Sequence, residues 1–546
     1  MMKVTESGCY DLVIKNAKIV DGTGNPWFKA DIGVSDDTIS KIGQLEPREE
    51  NADRVIDADG KIVAPGFIDP HGHSDLSILV DHLTESKVHQ GVTTEVIGNC
   101  GSSAFPIRDE HLEDLKKQYS FMGELDIEWD WRTAEEYIRK VESGGISMNV
   151  APLVGHGTVR IAAMGFDDRS PDEDELEAMK AMVRQGMQAG AFGLSTGLIY
   201  PPGSYSSTQE LIDLTREISE FQGIYCSHVR GESDDVLQAI EEAINIGKAA
   251  EVGVQISHHK VAGKQNWGMS EDTLSLLESA REDGIDVTSD QYPYTAGSTG
   301  LSSLLPDWVH EGGVEDLLDR LRDEQTREQI RTDIKEDRIE GWWNPLKSSG
   351  WDRVMVVGFD TEKNQQFEGK TLAEISEKRD QEEYQTLFDL LLEEKAGVRM
   401  ILFMIDSDDV ETILRHPTTM VGTDGRALSP TGVFAQGKTH PRAYGTYPRI
   451  LGKYVRENQV LSLSEAIRKM TSLPAQKLGL KNRGCLKEGF KADLVIFNPS
   501  TVMDSSTYQD PHRLPQGISQ VIVNGKRVVK DSIHTGEKPG RVIKNC

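Results

Sequence analysis

Eight short apolar runs, each closing on polar or small residues, lie between residues 64 and 425. They read APGFIDPHGH, TTEVIGNCG, MNVAPLVGHG, AFGLSTG, GIYCSHVRG, VGVQISHHK, DVTSDQYPYT and TMVGTDG. Segments of helical periodicity separate many of them, among them DEDELEAMKAMVRQGMQAG and DDVLQAIEEAINIGKAAE. Parallel strands covered on both faces read as nearly continuous apolar stretches, and each needs a crossover, usually a helix, to reach the next. Eight such βα units predict an α/β fold of the (β/α)8, TIM-like barrel type, with its chemistry at the C-terminal ends of the strands. The polar residues of the runs fall at those ends.

The connection between the seventh and eighth runs is too long for one helix. An insertion, expected to be helical, should therefore occupy roughly residues 300–415 and be able to lie over the barrel mouth. The two ends of the chain resemble one another. YDLVIKNAKIVDGTGNPWFKADIGVSDDTISKIG alternates apolar and polar residues and breaks at Gly and Asn. ADLVIFNPSTV through ISQVIVNGKRVV does the same, with Asn524 and Gly525 marking a tight turn. The expected organisation is a catalytic barrel at 64–480 and one small β-domain assembled from residues 1–63 and 481–546.

Sixty Lys and Arg against 89 Asp and Glu leave a net charge of −29, which repels phosphates and argues against nucleic acid or an anionic membrane as partner. No apolar run approaches the roughly 20 residues needed to span a bilayer. The first residues, MMKVTESGCYDLVIKN, contain neither an apolar h-region nor a small-residue cleavage site. Five cysteines, odd in number and scattered, make no disulfide framework. The expectation is a soluble, cytoplasmic protein acting on a small molecule. Nothing in the sequence bears on its oligomeric state.

His71 and His73 stand two apart at the end of an extended run, so their imidazoles aim the same way. The other strand ends contribute Cys100, His156, His228, His258 with His259, Tyr292 and Asp424. Each alone has a plain structural explanation, since Cys and some His are core residues and Asp–Gly is a common turn. Gathered at one barrel mouth, the thiolate, imidazoles and carboxylate describe a borderline-soft metal site, for which zinc is the expected ion. His259 points to the opposite strand face from His258 and reads as packing. His156 fits a supporting or a substrate-facing role equally well.

The motifs PGFIDPHGHSD, GNCG, SHVRGE, SHHK, YPYTAGST, GTDG, HPRAYGTYPRILG and RGCLKEGFKADLVIFNP occur in that order over nearly the whole chain. This series resembles the amidohydrolase superfamily, and most closely the N-acyl-D-amino-acid deacylases (D-aminoacylases). The resemblance implies one tightly bound Zn2+ on Cys100, His228 and His258. It also implies a second, weaker position on His71, His73, Cys100 and Asp424. Hydantoinases and dihydroorotases typically bridge two metals with a carboxylated lysine on strand four. Here that run is AFGLSTG, Lys180 lies back in the preceding helix, and Cys100 is the candidate bridge.

The implied reaction is hydrolysis of the amide of an N-acyl-D-amino acid by zinc-activated water, with Asp424 as general acid and base. The absence of a GxSxG elbow removes one common route to amide hydrolysis. Lys260, Tyr292 and Ser298 are implied to bind the substrate α-carboxylate. Arg230 and Arg426 are further anion-binding candidates, although an ion pair with Glu232 accounts for Arg230 equally well. Two rivals stand beside this reading, a hydantoinase-type cyclic-amide hydrolase and a non-catalytic amidohydrolase-like assembly protein. The missing strand-four lysine counts against the first, and the complete donor set counts against the second.

Overall fold

The computed structural model of the protein describes residues 10–45, 52–119, 125–337, 339 and 341–545. Cys9, Cys546 and the expectations placed on the first nine residues lie outside the described residues.

The eight runs form parallel strands in chain order: Phe67–Asp69, Val92–Ile97, Asn149–Pro152, Gly193–Gly197, Ile224–His228, Gly253–Ile256, Val287–Gln291 and Thr419–Val421. Each pairs in parallel with its successor, the third through its continuation Val154–Gly155. The circle closes where Gly72 bridges Gly425 in parallel and the Asp424 amide donates to the His71 carbonyl at 2.7 Å. The chain is therefore a (β/α)8 barrel. Below its C-terminal mouth the interior is filled by Ile68, Val96, Ala151, Ile224 and Cys226.

Local chemistry sets the crossovers. Helix Glu173–Ala189 starts in a capping box between Asp172 and Glu175 and stops at Gly190, whose φ of 111° suits a residue without a Cβ. Helix Val236–Ala250 turns Val236, Ala239, Ile240, Ala243 and Ile244 inward at helical spacing.

A nine-stranded sheet draws on both ends of the chain, since Ile62–Pro65 pairs antiparallel with Leu494–Phe497. The segment between the seventh and eighth barrel strands departs from the helical expectation. It carries a four-stranded antiparallel sheet, made of Ala296–Gly300, Val354–Val357, Lys370–Thr371 and Arg399–Phe403, with helices packed around it. The cause is local: VMVV and RMILF are short apolar runs that satisfy their backbone groups only by pairing. Among the described residues no helix is long and apolar enough to cross a membrane.

Candidate metal centre and active site

Barrel geometry brings the histidines, the cysteine and the aspartate to one place. His228 ends the fifth strand, and His71, Cys100, His258 and Asp424 follow the first, second, sixth and eighth strands within three residues. Cys100, His258 and Asp424 have φ values of 52°, 35° and 48°, a left-handed conformation that costs a non-glycine residue about 1–3 kcal/mol. The barrel holds these turns in place. The His258 amide donates to Asp290 Oδ1 at 2.8 Å, and the Asp424 amide is anchored on strand one.

Cys100 Sγ lies 3.3 Å from His71 Nε2 and 3.4 Å from His258 Nε2. His258 Nε2 is 2.7 Å from His228 Nδ1, and Asp424 Oδ1 is 3.0 Å from His73 Nε2. Two donor groups result, Cys100–His228–His258 and His71–His73–Cys100–Asp424, with the atoms of each within 4.8 Å of one another. They share the cysteine. His228 Nδ1 and His258 Nε2 face the same sulfur, and only one of them can carry a proton toward the other. With neither protonated, both nitrogens present lone pairs that a cation accepts. Thiolate, imidazole and carboxylate at this spacing fit zinc.

The charges agree. Burial opposes ionisation of Cys100, but His71 and His258 hold its thiol well below the ordinary range. Burial also opposes the Asp424 carboxylate, yet Arg442 and His258 keep it well below the usual value. Against its own burial, His73 is pushed up to about 9 by its hydrogen bonds to Asp424 and Cys100. These anions draw protons onto imidazoles, and a metal ion competes for the same lone pairs.

Two carboxylates absent from the sequence reading of the site flank the rings. Asp290 Oδ1 lies 3.0 Å from His71 Nδ1, which leaves Nε2 to face Cys100. Glu232 Oε1 lies 3.2 Å from His258 Nδ1 and 3.6 Å from His228 Nε2, the outer nitrogens of both rings. Carboxylates so placed stabilise positive charge on the rings, while the nearer neighbour of His258 Nδ1 is the Lys260 ammonium, a donor only. Glu232 is held ionised against burial by Lys260, His228 and His258. Its place four residues after His228 was a usable signal. That of Asp290, directly before QYPYT, was not, because its partner comes from strand one.

The donors open into a cavity of about 280 Å³ roofed by the insertion. Lys260 and Tyr292 line one wall, with the ammonium 5.7 Å from the ring centroid. Lys260 is ion-paired to Glu232 and sits 2.8 Å from His258 Nδ1. Ser298 lines the cavity too, although its hydroxyl donates to the Met400 carbonyl at 2.9 Å.

Arg442 completes that wall, a residue to which the sequence alone gives no role. Its guanidinium stacks over Tyr292 at 4.9 Å and forms an ion pair with Asp424 Oδ2 at 2.7 Å. Arg426 lines the same cavity. Arg230 does not, which corrects its place among the anion-binding candidates. Glu242 holds its Nε at 3.0 Å, and the carbonyls of Ser204 and Ser206 take its other nitrogens. The pairing of Arg230 with Glu232 is likewise not formed.

His156 is buried against Glu210 at 2.9 Å, away from the donors, and His259 bonds Thr273 at 2.9 Å on the far strand face. Lys180 is on the outer helix, paired with Glu177 at 2.7 Å, far from any bridging position.

Residues 54–323 and 367–529 match the model of the Amidohydrolase family. D-aminoacylase from Alcaligenes xylosoxydans xylosoxydans is 35% identical over 546 residues, covering 99% of both chains. The chain belongs to the amidohydrolase family, in its D-aminoacylase branch. N-acyl-D-glutamate deacylase from the same organism is 34% identical over 98% of this amidohydrolase and 96% of its own length. The crystal structure of N-acyl-D-glutamate deacylase from Bordetella bronchiseptica, complexed with zinc and a phosphonate inhibitor, superposes with a TM-score of 0.82. The two are 34% identical, over 98% of this chain and 99% of that one.

The glycine of HGH has a steric reason. A Cβ on Gly72 would fall 1.8 Å from Glu95 Oε1, so the side chain of strand two occupies that space. Gly72→Ala should destabilise the protein by about 1–3 kcal/mol, the range for overpacking. Denaturant unfolding measures this, and metal analysis should show loss at the His71–His73 position. Cys100→Ala should remove tightly bound metal and activity while the far-ultraviolet circular dichroism stays unchanged, because the thiolate belongs to both donor groups.

Proposed function

We propose that this amidohydrolase cleaves the amide bond of N-acyl-D-amino acids, releasing a D-amino acid and a carboxylate. The observation that carries the reading is one cavity in which a thiolate–imidazole metal site faces a wall of Lys260, Tyr292 and Arg442. The substrate class rests on relatives of like activity that match over nearly the full length. Cys100, His228 and His258 would hold the tight Zn2+, and His71, His73 and Asp424 with Cys100 a second, weaker position. Zinc bound there supplies a water whose pKa falls towards about 7 and a Lewis acid for the scissile carbonyl.

The chain's own groups do the rest. Asp424, ionised and pinned by Arg442, takes the proton of the attacking water and returns it to the leaving nitrogen. Tyr200, whose ring stands 5.0 Å from that of His228, offers an O–H donor to the developing oxyanion from the same cavity wall. The cationic wall receives the α-carboxylate, and Phe166, Leu305 and Leu317 line an apolar side for the rest of the substrate. The working compartment is read as cytoplasmic, in keeping with Cys100, Cys226 and Cys485 as free thiols.

The test is a panel of N-acetyl-D- and L-amino acids, their carboxamides and hydantoins. D-amino-acid derivatives should be hydrolysed, and the free acids about 10- to 150-fold more efficiently than their carboxamides. That ratio corresponds to one charge-assisted contact of about 1.5–3 kcal/mol. Turnover of hydantoins alone would move the protein to the cyclic-amide class. Asp424→Asn should lower kcat by about 10²–10⁴-fold and leave the metal on Cys100, His228 and His258. Near-normal kcat would assign the proton to another group.

A further inference from the structure

The barrel is least continuous at the seam between its eighth and first strands. The fourth and fifth strands share five paired positions, whereas the seam has a single isolated backbone bridge, Gly72 to Gly425. Both strands there carry candidate metal ligands. What joins them is a buried charge network centred on Lys87, from the short helix Glu85–Val88 after the first strand.

Its ammonium, with no exposed surface, donates to Asp69 Oδ2 at 2.6 Å, Thr423 Oγ1 at 2.7 Å and the Gly425 carbonyl at 3.0 Å. Glu95 Oε1 stands 3.2 Å away. Asp69 in turn accepts from the Thr423 amide at 2.9 Å, the Thr423 hydroxyl at 2.6 Å and the His71 amide at 3.2 Å. Glu95 takes the Ser74 hydroxyl at 2.7 Å, and the Ala427 amide donates to that hydroxyl's oxygen at 2.7 Å. The network thus grips the chain directly beside His71, His73 and Asp424.

A lysine and two carboxylates without solvent are expensive to bury, and apolar packing of the same volume often stabilises a fold equally well. A merely stabilising role therefore explains this network poorly. We infer that Lys87 is a positioning residue, which sets the register of strands one and eight so that His71, His73 and Asp424 converge on one point. Without Lys87, the Thr423 hydroxyl and the Gly425 carbonyl beside strand eight lose the donor that also holds Asp69 of strand one. Loss of that shared donor lets the seam between the ligand-bearing turns widen. Cys100, His228 and His258 lie outside the network and keep their arrangement. The inference rests on the reading of His71, His73 and Asp424 as a metal and proton-transfer half-site.

The test uses full-length Lys87→Met, Thr423→Val and Thr423→Ser, stripped of metal and titrated with Co2+. The thiolate charge-transfer absorption reports the Cys100 site, and the second equivalent reports the other half. Lys87→Met and Thr423→Val should keep the thiolate band. They should bind the second equivalent about 10- to 100-fold more weakly and lose kcat by a similar factor with KM little changed. Thr423→Ser, which restores the hydroxyl, should recover both.

A folded variant with wild-type second-site binding and kcat, altered only in melting temperature, would overturn the inference, as would loss of the thiolate band. If Lys87→Met does not fold, the two Thr423 variants decide by the same criteria. A wild type that binds cobalt yet cleaves no N-acyl-D-amino acid sinks the substrate reading alone, because the second-equivalent measurement needs no substrate.

Discussion

Much of this site depends on how one sulfur atom is surrounded. Cys100 Sγ sits between His71 Nε2 at 3.3 Å and His258 Nε2 at 3.4 Å, and so belongs to both donor groups. A neutral thiol could not serve two cations, but the imidazoles overcome the cost of burying the charge and favour the thiolate. On the proposed reading, a bridging anion from strand two would remove any need for a modified lysine on strand four, where this chain has Gly193–Gly197.

Around the sulfur, the arrangement repeats one device: each ligand imidazole has a buried carboxylate behind it or beside it. Asp290 serves His71, Glu232 serves His258 and His228, and Asp424 serves His73. Each carboxylate is balanced by polar or cationic neighbours, Gln255 for Asp290, Lys260 for Glu232 and Arg442 for Asp424. Lys260 and Arg442 also face the cavity. The cations that hold Glu232 and Asp424 ionised therefore also line the cavity in which the proposed substrate would sit. An acidic chain of net charge −29 repels anions at long range, and this local cationic wall is what can hold a carboxylate at the reacting centre.

Wherever periodicity or spacing carried the information, the site was legible from the sequence. Alternation along a strand separates His258 from His259, and the structure turns the latter to Thr273. It says nothing about Arg230, which follows the fifth strand on a loop and finds Glu242 on the next helix. Arg442 sat in a recognisable motif without a role, because its role comes from stacking on Tyr292 and ion-pairing with Asp424, both distant in sequence. The antiparallel sheet of the insertion was missed for a related reason: its strands of two to five residues are too short for periodicity to distinguish them from loop or helix.

The sequence by itself determined the barrel and the candidate metal donors. Eight apolar runs joined by helical segments admit few other folds, and parallel strands send their polar ends to one face. Tertiary structure alone decided which charges support which ligands. Those choices depend on contacts between strands far apart in the chain, where a carboxylate at 290 meets an imidazole at 71 and an ammonium at 87 meets a hydroxyl at 423. The desolvation that makes such pairs necessary exists only once the barrel has closed around them.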